Sequence, residues 1–414
     1  MPSSRFRVLI VASHAVQYAA PVFREMAAHA RLDFQVAYCD LRGAEPGIDP
    51  EFGTTVQWDV PLLDGYSWVH IPNQGDASES FWGLRNPGLW KLIRHGNFDA
   101  VISHVGYVRA SFWIAYLAAK FSRTAFLFGT DATSLTPRDA KPWKIRAKKL
   151  FWPRLFGLAD QVTAPSSAGR QLMLSLGIPD DHITLTPFPA DNDWWTRQSE
   201  AVDRQQIRAS WGVTPGQRVV LFCAKLQPWK RPMDLLEAFA KANLPETILI
   251  FAGDGPQRGL LESRVKELHL ESSVRFLGFV NQSNLPAVYT SADLFVLPSE
   301  YDPCPVVVCE ALLCGCPVVI SDEIRGRFDL VQPGRTGDIF PMGDTNALAD
   351  RLKKLLGDPT ILPAFSRNAR ERMKTWSPKE CVAGFVEAVR LAIEHRGSTP
   401  RNLQDAASQR NTTA

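Results

Sequence analysis

Asp302 and Glu310 frame a helix start in the stretch SEYDPCPVVVCEALLCGCPVV, residues 299–319. The apolar segment opens with Pro305 and closes with Gly315, which are residue types that favour the first turn and the end of a helix. We therefore predict a helix of about ten residues that begins at Pro305. Its unpaired amides and its dipole would form an anion site suited to the phosphates of a nucleotide.

Glu310 lies one turn further into this helix, among apolar residues. A carboxylate that is buried there needs hydrogen-bond donors, and the two hydroxyls of a ribose would supply them. The alternative is that Glu310 pairs with a nearby lysine or arginine, and the helix sequence does not decide between the two.

A second stretch, VVLFCAKLQPWKRPMDLLEAF, brings Lys225 and Lys230 past the end of a predicted strand and across a Pro-Trp turn. Two fixed ammonium groups there would stabilise a diphosphate leaving group, which accumulates negative charge in the transition state. The alternative is two solvated lysines on a turn. Gly253 and Gly255 follow the next strand, which is a weak signal because any tight strand-to-helix turn favours glycine.

Short runs of Val, Ile, Leu and Phe alternate with longer helical patterns, which is typical of parallel strands joined by crossover helices. The predicted strands are residues 7–12, 33–38, 100–103, 124–128, 161–164 and 183–186 in the first half, and 218–223, 247–252, 274–277, 294–297 and 317–320 in the second. Each half can build its own sheet. Ligands of such sheets bind outside the carboxyl ends of the strands, so the two domains should face a common cleft.

The predicted fold class is α/β, with two Rossmann-like, doubly wound domains around a central cleft. We place the first domain at 1–195 and the second at 218–378. Residues 196–217 are predicted to be an interdomain linker, because they are polar and contain no strand run. The tail 396–414 is expected to be disordered, because it has too few large apolar residues to offset the entropy of ordering.

Composition and charge exclude several other classes. The 414 residues are 45% hydrophobic and 21% charged, as in ordinary globular proteins, and a net charge of +3 does not indicate a nucleic-acid partner. No apolar run reaches the roughly 18 residues of a membrane span, and the apolar run at 8–12 is too short for a signal peptide, so we expect a cytoplasmic protein. The seven cysteines lack CxxC spacing, which favours reduced thiols over disulfides or a zinc site.

The second half resembles the family 4 retaining glycosyltransferases, or group 1 glycosyl transferases, of the GT-B fold. That family shows a basic pair R-x4-K, a G-x-G-P turn, an F-x-G-x-V segment, and E-x7-E running into E-A-x-x-x-G-x-P-V-V. The matching residues here are Lys225-x4-Lys230, Gly253-Asp254-Gly255-Pro256, Phe276-Leu277-Gly278-Phe279-Val280, and Asp302-x7-Glu310 followed by Ala311 and Gly315-Cys316-Pro317-Val318-Val319. Their order and spacing agree with the family over most of residues 218–350.

The resemblance implies an enzyme that moves a sugar from a nucleoside-diphosphate sugar to a hydroxyl of a glycan, lipid-linked or small-molecule acceptor, with no metal and no separate cofactor. It assigns the pyrophosphate to Lys225 and Lys230, the ribose to Glu310, and the transferred sugar to Asp302 and the amides after it. The other donor-binding residues that it implies are Gly253, Gly255, Phe279, Val306 and Val307. It also implies an acceptor-binding first domain and a helix at 379–395 that crosses back to that domain.

Three positions depart from the family pattern. The first acid of the pair is the shorter Asp302, and Pro305 stands where the family has a glycine. Both Pro303 and Pro305 therefore lack an N–H to offer to sugar hydroxyls. Lys225 replaces an arginine, so the charge is kept while the planar bidentate grip on phosphate is lost.

The first half resembles the same fold less closely. Its segment 12–29 lacks the glycines of the usual loop. The strand FDAVISH ends in His104, which the resemblance brings to the sugar, and the alternative is a structural histidine. Asp131, in FLFGTDATS, follows the next strand, where many relatives carry a second histidine. It would contact the sugar or the acceptor, or else cap a turn.

The tract 138–154 contains seven basic residues interleaved with Trp143, Phe151 and Trp152. It could rest on an anionic membrane as a peripheral contact, but we favour a solvated basic helix with one buried face. Two rival functions are a sugar-nucleotide epimerase of the same fold, which needs no acceptor, and a noncatalytic nucleotide-sugar-binding subunit.

Overall fold

A computed structural model describes residues 5–49, 54–136 and 141–398 of the chain. Within these ranges the chain forms a seven-stranded and a six-stranded parallel sheet and a short antiparallel ribbon. The elements of the first half, in chain order, are β1 (Phe6–Ala12), α1 (Ala20–Ala28), β2 (Leu32–Tyr38), β3 (Gly47–Asp49), β4 (Thr54–Val56), β5 (Trp68–His70), α2 (Gly88–His95), β6 (Ala100–Ser103), α3 (Ala110–Phe121), β7 (Ala125–Gly129), α4 (Pro142–Phe156), β8 (Gln161–Ala164), α5 (Ser167–Ser175) and β9 (Ile183–Leu185). Their sheet has the order β5-β2-β1-β6-β7-β8-β9.

The second half forms its own sheet, in the order β12-β11-β10-β13-β14-β15. Its elements are α6 (Asn192–Glu200), α7 (Arg204–Ser210), β10 (Arg218–Cys223), α8 (Pro232–Ala242), β11 (Thr247–Ala252), α9 (Arg258–Glu267), β12 (Val274–Gly278), α10 (Leu285–Ser291), β13 (Leu294–Leu297), α11 (Val306–Leu313), β14 (Val318–Ser321), α12 (Arg327–Leu330), β15 (Gly337–Phe340), α13 (Thr345–Gly357), α14 (Ile361–Met373) and α15 (Pro378–Ser398).

Each strand is a continuous apolar run because helices cover both faces of its sheet. In β1, Leu9 and Val11 face one core while Val8 and Ile10 face the other. The second sheet is likewise covered by a core on each face. The predicted α/β class with two doubly wound domains is therefore confirmed.

Each predicted strand is present in the structure, with bounds that agree to within one residue at each end. The strands with the predicted bounds are β6, β8, β10, β11 and β13. Both β5 and β15 were missed, because Trp68–His70 and Gly337–Phe340 are short and mix polar with apolar residues.

The segment 196–217 is not an open linker. It contains most of α6 and all of α7, which pack against α10. Trp195 is only 1% exposed in the core of the second domain, and Arg208 pairs with Asp293 at 2.6 Å. The polar composition of the segment gives no sign of this packing. One buried tryptophan and a few paired arginines are enough to hold the two short helices against the second domain.

The last helix, α15, returns to the first domain and packs against α1, β7, β8 and β9. Gly384 permits this contact, because a Cβ there would lie 2.3 Å from the carbonyl oxygen of Leu185. The helix includes residues 396–398, which we had predicted to belong to the disordered tail. Residues 399–414 lie outside the described part of the chain.

Helix α4 carries the basic and aromatic tract, of which residues 138–140 are outside the described ranges. Trp152 is buried against the first sheet, whereas Trp143 is 64% and Leu150 66% exposed. Throughout the described ranges, the helices are too short or too polar to cross a membrane. All seven cysteines are free of disulfide bonds.

Candidate functional site

A cleft of about 1710 Å³ separates the carboxyl ends of the two sheets. The predicted site residues that line it are His104 from the first half, and Lys225, Lys230, Gly253, Phe279, Val307 and Glu310 from the second. The structure therefore brings together residues that were predicted from separate motifs.

Lys230 and Asp302 contact each other directly. Lys230 Nζ lies 2.6 Å from Asp302 Oδ2, and both side chains are largely withdrawn from solvent, at 19% and 12% exposure. The resemblance assigned one of these residues to phosphate and the other to the sugar. In the structure each charge neutralises the other.

Gly253 and Gly255 allow the loops after β10 and β11 to touch. Gly253 has a φ of +137°, and a Cβ there would lie 2.1 Å from the carbonyl oxygen of Ala224. Gly255 has a φ of +149°, with Leu226 O at 2.9 Å from the same hypothetical atom. Because Ala224 and Leu226 flank Lys225, this close approach fixes the backbone that carries the lysine.

Helix α11 begins at Val306, and Pro305 is its N-cap rather than its first residue. The helix has eight residues instead of about ten and ends before Gly315, whose φ is +71°. Val307 lines the cleft, while Val306 lines a smaller adjoining cavity of about 140 Å³. The start of α11 therefore lies beside the cleft, as the anion-site hypothesis requires.

Glu310 is 4% exposed, and its Oε2 accepts a hydrogen bond of 3.1 Å from the hydroxyl of Tyr289. Burial raises the pKa of Glu310 to about 7, and hydrogen bonds from Tyr289 and Gln282 partly oppose that rise. Both of these partners are neutral donors, which favours the hydroxyl-binding interpretation over an ion pair.

His104 directly follows β6, and its ring stacks on Phe23 with centroids 6.2 Å apart and also contacts Phe385. His104 is exposed to the cleft, while Phe23 and Phe385 lie against its ring. Desolvation by this packing lowers the pKa of His104 to about 4, so the imidazole is neutral near pH 7. The two interpretations of His104, packing and a cleft contact, are both compatible with this position.

Asp131 follows β7 with an exposed side chain, and it is not among the described residues that line the cleft. Burial raises the pKa of the cleft residue Tyr18 to about 12, and the charge of Asp131 adds to that rise. Asp131 thus lies near the cleft wall rather than in it. Phe279 packs edge-on against Trp58, across the domain boundary, at 6.4 Å.

Several cleft residues were not predicted. His14 is the second residue after β1, and its Nδ1 is 3.0 Å from Ser13 Oγ. Burial lowers the pKa of His14, and the charge of Arg42 lowers it further. The position of His14 after a strand end could have identified it from the sequence. No sequence motif marks Tyr289 or Gln282, and they reach the site only when the chain folds.

Two protein-family models together match most of the chain. Residues 203–372 match the family described as glycosyl transferases group 1, and residues 11–189 match the glycosyl transferase 4-like domain. The chain is 31% identical over 419 residues to D-inositol 3-phosphate glycosyltransferase of Rhodococcus erythropolis, covering 93% of this chain and 91% of that one. It is 30% identical over 308 residues to N-acetyl-alpha-D-glucosaminyl L-malate synthase of Bacillus anthracis, covering 72% and 76%.

Solved structures share the fold at low sequence identity. Anabaena Alr3699/HepE in complex with UDP and glucose has a TM-score of 0.70 at 18% identity, covering 93% of this chain and 100% of that chain. WaaG, a glycosyltransferase involved in lipopolysaccharide biosynthesis, has a TM-score of 0.61 at 14% identity, covering 91% and 98%.

The raised pKa of Glu310 predicts a pH-dependent cost to stability. Below the ordinary carboxyl pKa of 4.5 both folded and unfolded chains are protonated, and the cost is absent. As the pH rises to about 7, the unfolded chain ionises first, so the folded chain loses up to about 3 kcal/mol. Glu310→Gln should therefore gain stability relative to the parent between about pH 5 and about pH 8 in urea denaturation.

Glu200→Gln, at an exposed position on α6, provides the matched control and should show no such trend. A constant offset between the parent and Glu310→Gln at both pH values would contradict the raised pKa.

Proposed function

Because this chain belongs to the group 1 glycosyl transferases, we propose that it transfers a sugar from a nucleoside-diphosphate sugar to an acceptor hydroxyl with retention of configuration. The observation that carries the proposal is the grouping of Lys225, Lys230 and Glu310 beside the start of α11 at the cleft. Two cations and a helix N-terminus suit a diphosphate, and the buried carboxylate suits a ribose.

The comparisons support a nucleotide-sugar donor. Alr3699/HepE, which shares the fold, has been solved with UDP and with UDP-glucose. Related enzymes include a GDP-mannose-dependent alpha-mannosyltransferase of Mycobacterium tuberculosis. They offer no support for the epimerase alternative, because each acts, by its description, as a transferase or synthase.

In the proposed reaction, the bond between the anomeric carbon and the diphosphate oxygen breaks while the acceptor oxygen bonds the same face of that carbon. The acceptor proton passes to the departing phosphate, so no protein base is needed. Lys225 and Lys230 stabilise the charge that develops on the diphosphate. A neutral His104 can hydrogen-bond a sugar hydroxyl without adding charge to the cleft. Asp131, which lies near the cleft wall, would contact the sugar or the acceptor. No cleft residue is assigned to hold a metal, and the lysines alone would balance the charge of the diphosphate.

Donor binding would exchange partners at the Lys230–Asp302 pair. The ammonium would turn to a phosphate oxygen and the carboxylate to sugar hydroxyls, so neither charge would be left unpaired after the exchange. The shorter reach of Asp302 and the missing N–H groups of Pro303 and Pro305 would narrow the choice of sugar.

The exposed face of α4 supports peripheral contact with an anionic lipid surface. Trp143 and Leu150 project into solvent from the same helix that carries Lys148 and Lys149. Apolar side chains beside lysines fit the boundary between headgroups and acyl chains. Such a contact would bring a lipid-linked acceptor to the enzyme.

Donor binding is tested by thermal shift with UDP-, GDP-, dTDP- and ADP-sugars. The matching donor, at about 100 times its dissociation constant, should add about 2.7 kcal/mol of stability. Lys230→Ala and Glu310→Ala should weaken its binding by about tenfold to a hundredfold, since each loses a hydrogen bond to or from a charged group. Lys266→Ala, an exposed lysine on α9, is the control. Unchanged donor affinity in both cleft variants would refute the site assignment.

The stereochemical test uses the donor identified in that panel, with and without acceptors. Proton NMR of the product should show the anomeric configuration of the donor, and the donor alone should stay unchanged apart from slow hydrolysis. An inverted product would contradict retention, and isomerised donor without acceptor would favour the epimerase. Binding without turnover of any acceptor would indicate the noncatalytic subunit.

Membrane contact is tested by cosedimentation with vesicles of phosphatidylcholine, with and without phosphatidylglycerol. We expect binding only to the anionic vesicles, and Leu150→Ser should reduce it because the apolar insertion is lost. Leu260→Ser, at a 58% exposed leucine on α9, should leave it unchanged. Equal binding by Leu150→Ser and the parent would exclude α4 as the contact.

A further inference from the structure

Three side chains with metal-binding atoms meet at the end of α15, away from the cleft. Asp181, His182 and His395 each bring one ligand atom within 4.8 Å of the other two. The two imidazole rings lie nearly parallel, at 15°, with their centroids 4.3 Å apart. His182 and His395, which are 213 positions apart in the sequence, thus lie in one compact cluster with Asp181.

The cluster lies at the opposite edge of the first sheet from the cleft. Asp181 and His182 belong to a 3-10 turn that immediately precedes β9, and His395 is in the last turn of α15. Asp160, which precedes β8, and Thr124, which precedes β7, also contact the end of α15. This is the amino edge of the strands, whereas the cleft adjoins their carboxyl ends.

One of the two rings already has the outer hydrogen bond that is common for a metal-bound histidine. His395 Nδ1 lies 3.4 Å from the carbonyl oxygen of Asp160, and an oxygen acceptor at Nδ1 fixes the tautomer that carries the lone pair on Nε2. His182 Nδ1 and Asp181 Oδ1 lie 3.3 Å apart, which is about the separation of two ligand atoms on one tetrahedral Zn²⁺ ion with bonds of about 2.0–2.2 Å.

We propose that Asp181, His182 and His395 bind a divalent transition metal ion, of which Zn²⁺ is the representative, and that this ion fastens the C-terminal helix to the first domain. Imidazole nitrogens with one carboxylate suit Zn²⁺, Co²⁺ and Ni²⁺, whereas Mg²⁺ prefers oxygen ligands. Water completes the coordination. To bind the ion, the stacked rings must turn so that their lone pairs converge, and the ligand atoms must draw in to about 2.0–2.2 Å from it. Partial exposure of all three side chains leaves room for both changes.

The local charge balance permits such an ion. Asp160 is already paired with Lys120 at 3.2 Å and with Arg396 at 3.9 Å, so those cations are compensated. The carboxylate of Asp181 is 73% exposed and is available to offset a divalent charge. Because α15 is the segment that returns from the second domain, the ion would stabilise its docked end without touching the cleft.

The test is Zn²⁺ titration of the full, tag-free chain by calorimetry, with the visible spectrum of Co²⁺ as a second readout. We expect one ion per chain, a rise in the unfolding temperature with Zn²⁺ and none with Mg²⁺. His395→Gln should weaken the affinity by at least about tenfold, as loss of a ligand does. Asp181→Asn, at an exposed position that carries little folding risk, should also weaken it.

His95→Gln is the matched control, because His95 likewise lies at the end of a helix with its Nδ1 2.9 Å from a backbone carbonyl. Its Zn²⁺ affinity should equal that of the parent. If His395→Gln and Asp181→Asn bind as tightly as the control, the ion occupies another place, such as a thiol, and the proposal is wrong. Absence of one-to-one binding overturns it as well. Neither result depends on the nucleotide sugar, so this test is independent of the proposed function.

Discussion

Both sheets are covered by helices on each face, so a strand can present polar side chains to a ligand only where it ends. Within β1 and β10 successive residues enter one apolar core or the other, and a charged side chain there would be buried without a partner. The residues that follow the strands are free of that constraint. His14, His104 and Lys225 are all such residues, and the cleft is the space where the two sets of strand ends face each other.

The charges in the cleft obey the same desolvation rule. Glu310 is buried, but Tyr289 and Gln282 donate to its carboxylate, and Asp302 is held by Lys230. Neither carboxylate therefore requires a ligand to be tolerated in the folded chain. A donor that offers phosphate to the lysine and hydroxyls to the carboxylates replaces existing partners, which costs less than ordering unpaired charges around it.

Sequence reasoning succeeded where one local rule decided the outcome. The apolar runs at 218–223 and 247–252 have the predicted strand bounds, and the resemblance of their motifs to the family pattern grouped Lys225 with Glu310. It failed where tertiary packing decided. The polar segment 196–217 folds because Trp195 inserts into a core that the sequence does not display, and Tyr289 reaches Glu310 from another helix.

The hydrogen bonds between the domains are part-buried where the chain crosses and exposed at the mouth of the cleft. This difference affects how the two domains can move relative to each other. Where the chain crosses, the Asn192 amide donates to the carbonyl oxygens of Met373 and Trp376, and the Trp376 indole donates to that of Phe188. Across the cleft mouth, the backbone N–H and the hydroxyl of Ser283 donate to the carboxylate of Asp59, and the Asn281 amide donates to the carbonyl oxygen of Gln57. These hydrogen bonds are exposed, so water can replace them at small cost. Opening about a hinge at the two chain crossings, near Asn192 and Trp376, would break the exposed hydrogen bonds of Ser283 and keep the contacts at the crossings.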